Sequence, residues 1–284
     1  MILLTGSNGM VGSYFHEIKA TFDEELVFTD IDTLDIGDYH AVKKQISEND
    51  YTHVIHLAAE TDVDLCEKDP DYAFKINVLG TQNVALACHE KDIIMVYIST
   101  AGVFGADGKA GPFTEFDPPN PANVYGITKL KGEEVVEKFL RKYFIVRAGW
   151  MIGGKEKDKK FVAKIKKLMN TEKELKIVYD KIGSPTYAKE LVTGIRELLK
   201  TDYYGLFHMT NKGTCSRYEI ACEMAKILNT DIKITPVNSA HFPLPAPRAH
   251  SEAMRNMKLD LLGWNHMSHW KDALKEYLLS FDDK

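Results

Sequence analysis

A tyrosine and a lysine four residues apart are the side chains in this sequence best placed to do chemistry together. Tyr125 and Lys129 lie in the segment VYGITKL, and this spacing puts both on one face of a helix, one turn apart. A phenol has a pKa of about 10, so it exchanges protons poorly at neutral pH unless a neighbouring ammonium group lowers that pKa. The pair therefore predicts a tuned acid or base that acts where a substrate and a hydride carrier lie beside it.

A glycine-rich loop at the start of the chain indicates where such a hydride carrier could bind. An apolar run over residues 2–4 predicts a buried parallel strand, and Gly6, Gly9 and Gly12 follow it at intervals of three residues. Glycines between a strand and a helix let the backbone approach a pyrophosphate, whose charge the helix N-terminus favours. The spacing is GxxGxxG, not the GxGxxG of the standard fingerprint, and an ordinary strand-to-helix turn is the alternative.

An acidic residue after the second apolar run bears on the choice of dinucleotide. Asp30 lies about 20 residues beyond the glycines, where an acidic side chain is expected to bind the adenosine ribose 2′-hydroxyl. A carboxylate there would repel a 2′-phosphate, and no Arg or Lys occupies positions 31–35. The sequence therefore favours NADH somewhat over NADPH.

The composition limits the partners of this chain. Its 284 residues are 44% hydrophobic and 27% charged, with a net charge of −5, and nothing in this balance indicates a nucleic-acid partner. The longest apolar run, residues 93–98, is far too short to span a bilayer, and no signal peptide opens the chain. We therefore predict a cytoplasmic protein without membrane association.

The lysine-rich stretch 155–167 is predicted to be a solvated helix start.

No metal site is predicted from the cysteines and histidines. Cys66, Cys88, Cys215 and Cys222 form no CxxC pair, and no histidine cluster completes a set of ligands. Free thiols in a reducing compartment are the expected state of these cysteines.

Apolar runs alternate with helical patterns through the first half of the chain. This alternation predicts an α/β fold with a Rossmann-type doubly wound parallel sheet. The predicted strands cover 2–5, 25–29, 53–57, 93–99 and 144–147, and the predicted helices between them cover 10–20, 39–48, 71–90 and 124–142. Ligands of such sheets bind at the carboxyl ends of the strands, where most of the residues of interest fall.

The pattern loosens after residue 150 and predicts a smaller C-terminal α/β lobe. Residues 1–150 are assigned to an NAD(P)-binding domain, and 186–210 are expected to return to it. Residues 151–185 and 211–284 are assigned to a substrate-binding lobe. Beyond residue 150 the predicted helices cover 159–170, 187–200, 215–228 and 269–280, and the predicted strands cover 175–179, 206–209 and 232–235.

Two pairs of residues end predicted strands near the catalytic helix. A hydroxyl of Ser99 or Thr100 could donate to a carbonyl oxygen that becomes an alkoxide, although a strand-terminal hydroxyl often only satisfies backbone groups. Small residues at Ala58 and Ala59 would let the nicotinamide half of a cofactor lie against the backbone, and simple tight packing is the alternative.

Asn77 and Trp150 each allow two interpretations. A buried asparagine within a helix is costly unless it is hydrogen-bonded, so Asn77 either holds the catalytic helix or a water chain near Lys129, or is exposed. Trp150 follows a strand end and either closes over a sugar ring or only packs at the junction between domains.

Five motifs follow one another along the chain and together match a known superfamily: TGSNGMVG from Thr5, LAA from Leu57, NVLGT from Asn77, the Ser99-Thr100 pair and YGITK from Tyr125. They resemble the extended short-chain dehydrogenase/reductase superfamily. Longer segments are most similar to the dTDP-4-dehydrorhamnose reductase family within it: TDVDLCE from Thr61, STAGVF from Ser99, NVYGITKLKGE from Asn123, RAGW from Arg147 and GSPTY from Gly183. The likeness covers nearly the whole chain.

The resemblance implies an activity and a set of site residues. The activity is reduction of the 4-keto group of dTDP-4-dehydro-L-rhamnose by NADPH or NADH, a step in the synthesis of dTDP-L-rhamnose for cell-surface polysaccharide. The implied catalytic residues are Thr100, Tyr125 and Lys129, and the implied contacts to the nucleotide sugar are Val63, Thr100, Tyr125 and Trp150. The implied cofactor-binding residues are Gly6, Ser7, Asn8, Gly9, Met10, Val11, Asp30, Asp35, Ile36, Ala58, Ala59, Thr61, Tyr125 and Lys129. A homodimer and Mg²⁺ binding follow from the resemblance alone.

Departures from the family pattern bear on sugar specificity more than on the chemistry. Ala101 and Gly102 stand where the family usually has Asp-Tyr, Met10 stands where Gln is common, and Leu57 replaces a more frequent Asn.

Two other functions stay open. One is a different sugar-nucleotide epimerase or dehydratase of the superfamily, which would keep its NAD bound. The other is a non-catalytic NAD(P)-binding regulatory subunit.

Overall fold

The computed structural model describes residues 1–281. The strands, in chain order, are β1 (Ile2–Thr5), β2 (Leu26–Phe28), β3 (His53–His56), β4 (Ile94–Thr100), β5 (Tyr143–Ala148), β6 (Met151–Ile152), β7 (Glu174–Val178), β8 (Ile182–Gly183), β9 (Thr186–Tyr187), β10 (Gly205–His208), β11 (Cys215–Ser216), β12 (Lys233–Val237) and β13 (Ser251–Glu252). The helices are α1 (Met10–Ile18), α2 (Tyr39–Ser47), α3 (Val63–Lys68), α4 (Pro70–Phe74), α5 (Thr81–Lys91), α6 (Val124–Phe139), α7 (Phe161–Met169), α8 (Ala188–Leu198), α9 (Arg217–Ile227), α10 (Met257–Leu262) and α11 (Trp270–Leu279).

Six of these strands form one parallel sheet in the order β2-β1-β3-β4-β5-β10. Along β1, Ile2 and Leu4 pack in one apolar cluster while Leu3 packs in another, because successive side chains of a strand face opposite sides of the sheet. Both faces are therefore covered, and the predicted doubly wound parallel sheet is confirmed. The strand order reverses between β1 and β3, which places the ligand crevice of such a sheet above these two strands.

The helix predicted over 71–90 is interrupted in the structure. It consists of α4, a π-helical segment Lys75–Gly80, and α5. A π-turn widens the backbone ladder locally and is often found at functional sites. It contains Asn77, which is fully buried and hydrogen-bonded to groups outside its own helix. A pattern of apolar spacing carries no signal for one extra residue in a turn, so this break could not be foreseen.

The region after β5 is built from short pairings around helices. Strand β7 pairs in parallel with β12, β8 pairs with β11 and β13, and β6 pairs with β9. Helix α8 packs on α1, and β10 extends the main sheet beside β5. The sequence does not predict the two-residue strands or the short helices α3 and α10. No helix within residues 1–281 is long and apolar enough to cross a bilayer.

Replacing Gly12 with alanine should destabilise this fold. A Cβ atom at Gly12 would clash with backbone atoms of Ser7, and overpacking of this kind costs roughly 1–3 kcal/mol in free energy of unfolding. Gly9→Ala is the matched control, because a Cβ at Gly9 would meet only the Gly6 carbonyl oxygen, at 3.4 Å. Urea denaturation should give a lower midpoint for Gly12→Ala than for Gly9→Ala, and equal midpoints would contradict the close packing of α1 on this loop.

Candidate active site

The end of β4 and the start of α6 bring the predicted catalytic residues together. Asn123 caps α6, since its side chain accepts a hydrogen bond from the Gly126 amide at 2.9 Å. Tyr125 therefore lies in the first turn of the helix, beside Thr100, the last residue of β4. The Thr100 hydroxyl accepts a hydrogen bond from the Gly102 amide at 3.0 Å, which fixes its rotamer. Lys129 follows one turn later and is buried.

The electrostatics of this pair differ from the expectation. Burial raises the pKa of Tyr125 to about 12, and the Thr100 hydroxyl beside it only partly opposes the rise. Burial also lowers the pKa of Lys129 to about 7, although the Glu133 carboxylate favours the charged form. The prediction that Lys129 lowers the tyrosine pKa is therefore wrong, because desolvation outweighs the attraction between charges. At neutral pH the phenol is fully protonated, as a proton donor must be.

The Lys129 ammonium group lies over an aromatic ring. Its Nζ is 4.1 Å from the centroid of the Tyr97 ring, in the geometry of a cation–π contact. The Tyr97 hydroxyl in turn donates to the Lys129 carbonyl oxygen at 3.3 Å. Strand β4 therefore holds both ends of this lysine residue in place.

A buried ion pair lies beneath the catalytic helix. Glu133 accepts hydrogen bonds from Arg147 Nε at 2.9 Å and Nη2 at 2.6 Å, and both side chains are almost fully buried. The Ser99 hydroxyl also donates to Glu133. The Ser99 hydroxyl is therefore engaged with this ion pair. Of the two hydroxyls at the end of β4, that of Thr100 is the one that lies beside Tyr125. Bonds of this kind tie β4, α6 and β5 to one another.

Asn77 joins the catalytic helix to the loop after β3. Its Oδ1 accepts from the Glu60 amide at 2.9 Å, and its Nδ2 donates to the Glu60 carbonyl at 3.1 Å and to Thr128 Oγ1 at 3.0 Å. The interpretation that Asn77 holds the catalytic helix is confirmed, and the exposed alternative is wrong. Every strong hydrogen-bonding group of this buried amide has a partner, so its burial is not costly.

The glycine loop has the shape of a cradle for phosphates. Gly6 has a φ of +67°, in the left-handed region, and a Cβ there would lie 2.6 Å from Ala58 backbone atoms. At Gly9 the backbone is open on the cavity side. The Asn8 amide donates to Asp30 Oδ2 at 2.7 Å, so Asp30 braces this loop. The arrangement fits the pyrophosphate and adenosine ribose of a dinucleotide.

One cavity of about 1250 Å³ joins the glycine loop to Tyr125 and Trp150. With one exception, the predicted site residues line it: Gly6, Asn8, Gly9, Met10, Val11, Asp30, Asp35, Ile36, Ala58, Ala59, Thr61, Val63, Thr100, Tyr125, Lys129 and Trp150. The exception is Ser7. It is buried, and its amide donates to the Thr29 carbonyl at 3.0 Å, because the chain turns inward there to meet β2. Ser7 therefore does not line the cavity, and its contact with a cofactor stays a prediction.

The mouth of the cavity is lined by residues that the sequence analysis missed. Lys157, Lys159 and Lys160 belong to the stretch predicted to be solvated, but all three line the cavity. Lys160 Nζ lies 3.3 Å from Thr61 Oγ1, and desolvation lowers its pKa. The predicted solvated helix start is confirmed, since Lys160 is exposed and immediately precedes α7. What the sequence did not predict is that this segment reaches the loop after β3 at the mouth of the cavity. The mixed charges of the stretch 155–167 do not indicate that it lines a cavity.

Charged side chains also gather around Trp150. Its indole nitrogen donates to Glu252 Oε2 at 3.0 Å, and the Arg217 guanidinium lies 3.8 Å from the centroid of its ring. Arg248 forms an ion pair with Asp64 at 3.0 Å.

Within residues 1–281, no group of three or more His, Cys, Asp or Glu side chains is arranged to hold a metal ion.

A family model described as the RmlD substrate binding domain matches residues 1–282. The chain belongs to this family. The resemblance to dTDP-4-dehydrorhamnose reductases that the motifs carry is thereby confirmed. The match spans both the sheet and the C-terminal lobe of this member of the RmlD substrate binding domain family.

Named relatives of this family member are similar over almost their whole lengths. A dTDP-4-dehydrorhamnose reductase of Mycolicibacterium smegmatis is 32% identical over 97% of this chain and 84% of its own. A solved dTDP-4-dehydrorhamnose reductase from Clostridium acetobutylicum has a TM-score of 0.95 and 38% identity, and covers 99% of both chains. A Bacillus anthracis dTDP-4-dehydrorhamnose reductase in complex with NADP has a TM-score of 0.93 and 34% identity, over 98% of both chains.

Removing the carboxylate beneath the catalytic helix should cost much stability. Glu133→Gln would leave the Arg147 guanidinium buried without a counter-charge, which typically costs about 3–5 kcal/mol in free energy of unfolding. Glu134→Gln is the control, because Glu134 pairs with Lys131 at an exposed site and such pairs contribute less than about 1 kcal/mol. Similar urea midpoints for the two variants would show that the buried pair does not hold the site together.

The buried lysine predicts a pH dependence of stability. The pKa of Lys129 falls from 10.5 to about 7 on folding, so between these values the unfolded chain binds more protons than the folded one. The contribution of Lys129 to the free energy of unfolding therefore rises from about pH 7 to about pH 10. Tyr125, whose pKa is raised, reduces stability only above about pH 10. In urea denaturation the wild type should gain stability relative to Lys129→Met over this range; a constant difference would contradict the burial of an uncharged amine.

Proposed function

We propose that this chain reduces the 4-keto group of dTDP-4-dehydro-L-rhamnose to dTDP-L-rhamnose by hydride transfer from NAD(P)H, within dTDP-rhamnose biosynthesis. One observation carries the proposal: Thr100, Tyr125 and Lys129 share a single cavity with the glycine loop. The relatives named as dTDP-4-dehydrorhamnose reductases support the same reaction. With a volume of about 1250 Å³, the cavity would take a dinucleotide at the glycine loop and a nucleotide sugar at Trp150.

The cofactor end of the cavity lies over β1, β2 and β3. Gly6 and Gly9 would leave room for the pyrophosphate, Asp30 would accept from a ribose hydroxyl, and Ala58 and Ala59 would pack against the nicotinamide end. When bound, the reduced nicotinamide supplies the hydride to the keto carbon. The NADP complex of the Bacillus anthracis relative supports NADPH as a cofactor. Asp30 and the absence of Arg or Lys at 31–35 support NADH, so we propose that the chain accepts either.

The chain divides the two ligands between its two parts. We propose that residues 1–150, with 186–210, bind the dinucleotide, and that 151–185 and 211–284 cover the nucleotide sugar. Val63 and Trp150 line the same cavity as the catalytic pair and are the proposed contacts to the sugar. A homodimer, Mg²⁺ binding and a cytoplasmic setting stay predictions.

Tyr125 would supply the proton that completes the reduction. Its raised pKa keeps the phenol protonated at neutral pH, so it can donate to the carbonyl oxygen as negative charge develops there. The Thr100 hydroxyl would donate to the same oxygen and orient it. Lys129 would hold the nicotinamide ribose and, as an ammonium, stabilise the phenolate that remains. The products are the C4 alcohol, the oxidised cofactor NAD(P)⁺ and the tyrosine anion, which regains its proton from solvent.

The direct test is oxidation of NADH and of NADPH by the purified chain, measured against a panel of 4-keto nucleotide sugars. The proposal expects dTDP-4-dehydro-L-rhamnose to be consumed with one equivalent of cofactor. Protein that carries tightly bound NAD and oxidises no added NADH would instead favour an epimerase or dehydratase. Dinucleotide binding without turnover of any substrate would favour a regulatory subunit.

Tyr125→Phe should remove the proton donor while keeping the ring in place. A positioned general acid contributes about 10²- to 10⁴-fold, so kcat should fall by that factor. The dissociation constant for the dinucleotide, measured by calorimetry, should change little, because the phenol hydroxyl is not part of the phosphate cradle. Turnover close to that of the wild type would exclude Tyr125 from the role.

A further inference from the structure

Arg217 is a cation that lines the cavity, and Glu252 is the carboxylate that interacts with it electrostatically. Its guanidinium carbon lies 3.8 Å from the centroid of the Trp150 ring and 4.9 Å from that of Phe161. Within residues 1–281 its side chain makes no hydrogen bond and no ion pair. A cation–π contact engages no N–H donor through a hydrogen bond, so the donors of this guanidinium are available to an anionic ligand.

The position of Arg217 is not explained by the stability of its helix. It is the first residue of α9, where the partial positive charge of the helix N-terminus disfavours a cation. The helix is already capped by Ser216 and Glu219, whose side chains each accept a hydrogen bond from the other's amide. An anion bound there would interact favourably with both the guanidinium and the helix N-terminus.

The Glu252 carboxylate, which interacts electrostatically with Arg217, also accepts a hydrogen bond from another group. Glu252 accepts from the Trp150 indole at 3.0 Å, and Asp64 pairs with Arg248 at 3.0 Å. Lys181 adds a third cation on this side of the cavity and donates to the Arg248 carbonyl at 2.8 Å. Arg217, Arg248 and Lys181 all interact electrostatically with the Glu252 carboxylate, so three cations surround one carboxylate on this side of the cavity and favour a further negative charge.

We propose that Arg217 binds a phosphoryl group of the nucleotide-sugar substrate through its in-plane N–H donors. The planar fork of a guanidinium matches two oxygens of one phosphate, and the aromatic faces of Trp150 and Phe161 hold it in orientation. A neutral sugar hydroxyl would bring no negative charge to a side of the cavity where three cations surround one carboxylate. The identity of the ligand rests on the proposed function, whereas the preference for a phosphoryl group rests on the geometry.

Calorimetric binding of dTDP, which has the diphosphate but no sugar, tests this role. Arg217→Gln should raise the dissociation constant of dTDP by about 10- to 100-fold, the usual effect of losing a hydrogen bond to a charged group. Arg217→Lys, which keeps the charge but not the fork, should give a smaller loss. Lys226→Gln is the matched control, because Lys226 lies on the same helix in an exposed pair with Glu223, and it should leave the value within about two-fold of the wild type.

Two further measurements separate the possible outcomes. The affinity for NADP⁺ should stay the same in all three variants, which shows that each has folded. If Arg217→Gln binds dTDP as tightly as the wild type, or if only the KM of the full nucleotide sugar rises, Arg217 does not bind phosphate and the inference is overturned. A wild type without measurable dTDP affinity overturns it as well. If dTDP binding depends on Arg217 but no 4-keto sugar is reduced, the phosphate site stands and the proposed reaction fails.

Discussion

The close approach of helix α6 to the end of strand β4 is the constraint on which the site depends. A Cβ at Gly126 would clash with the Gly102 carbonyl oxygen, and one at Gly132 would clash with the Tyr97 hydroxyl. With only hydrogen at these positions, the helix lies against the strand, and Tyr125 comes beside Thr100 while Lys129 comes over Tyr97. The buried ion pair between Glu133 on α6 and Arg147 on β5 then holds the helix against the sheet.

The same close packing sets the chemistry. Burial removes water from the phenol and the amine together, so it raises one pKa and lowers the other. The tyrosine is therefore protonated at neutral pH and keeps its proton until an oxygen with developing charge is brought to it, whereas the lysine is present there in both its charged and its uncharged form. A site of this kind is suited to protonate the oxygen of a carbonyl that is being reduced. The cationic side around Arg217 and Lys181 complements it, because a nucleotide sugar brings its own negative charge.

Sequence patterns predicted the parts of the molecule that depend on local repetition. The buried runs of β1 and β3, the glycine loop and the spacing of Tyr125 and Lys129 each leave a signal within a few residues. Two-residue strands such as β6 and β9 leave none, because they exist only where distant segments meet. The same reason hid the positions of Lys160 and Arg217 at the cavity, because which charges line a cavity depends on where distant segments meet. The pKa of Tyr125 was predicted in the wrong direction, because burial depends on the whole fold.

A crystal structure of the chain with NADP⁺ and dTDP-L-rhamnose would test the central claim most directly. The account predicts the pyrophosphate on the glycine loop and the sugar C4 oxygen within hydrogen-bonding distance of both the Tyr125 and the Thr100 hydroxyls. A sugar bound away from Tyr125, or a dinucleotide bound elsewhere than on the loop between β1 and α1, would contradict it.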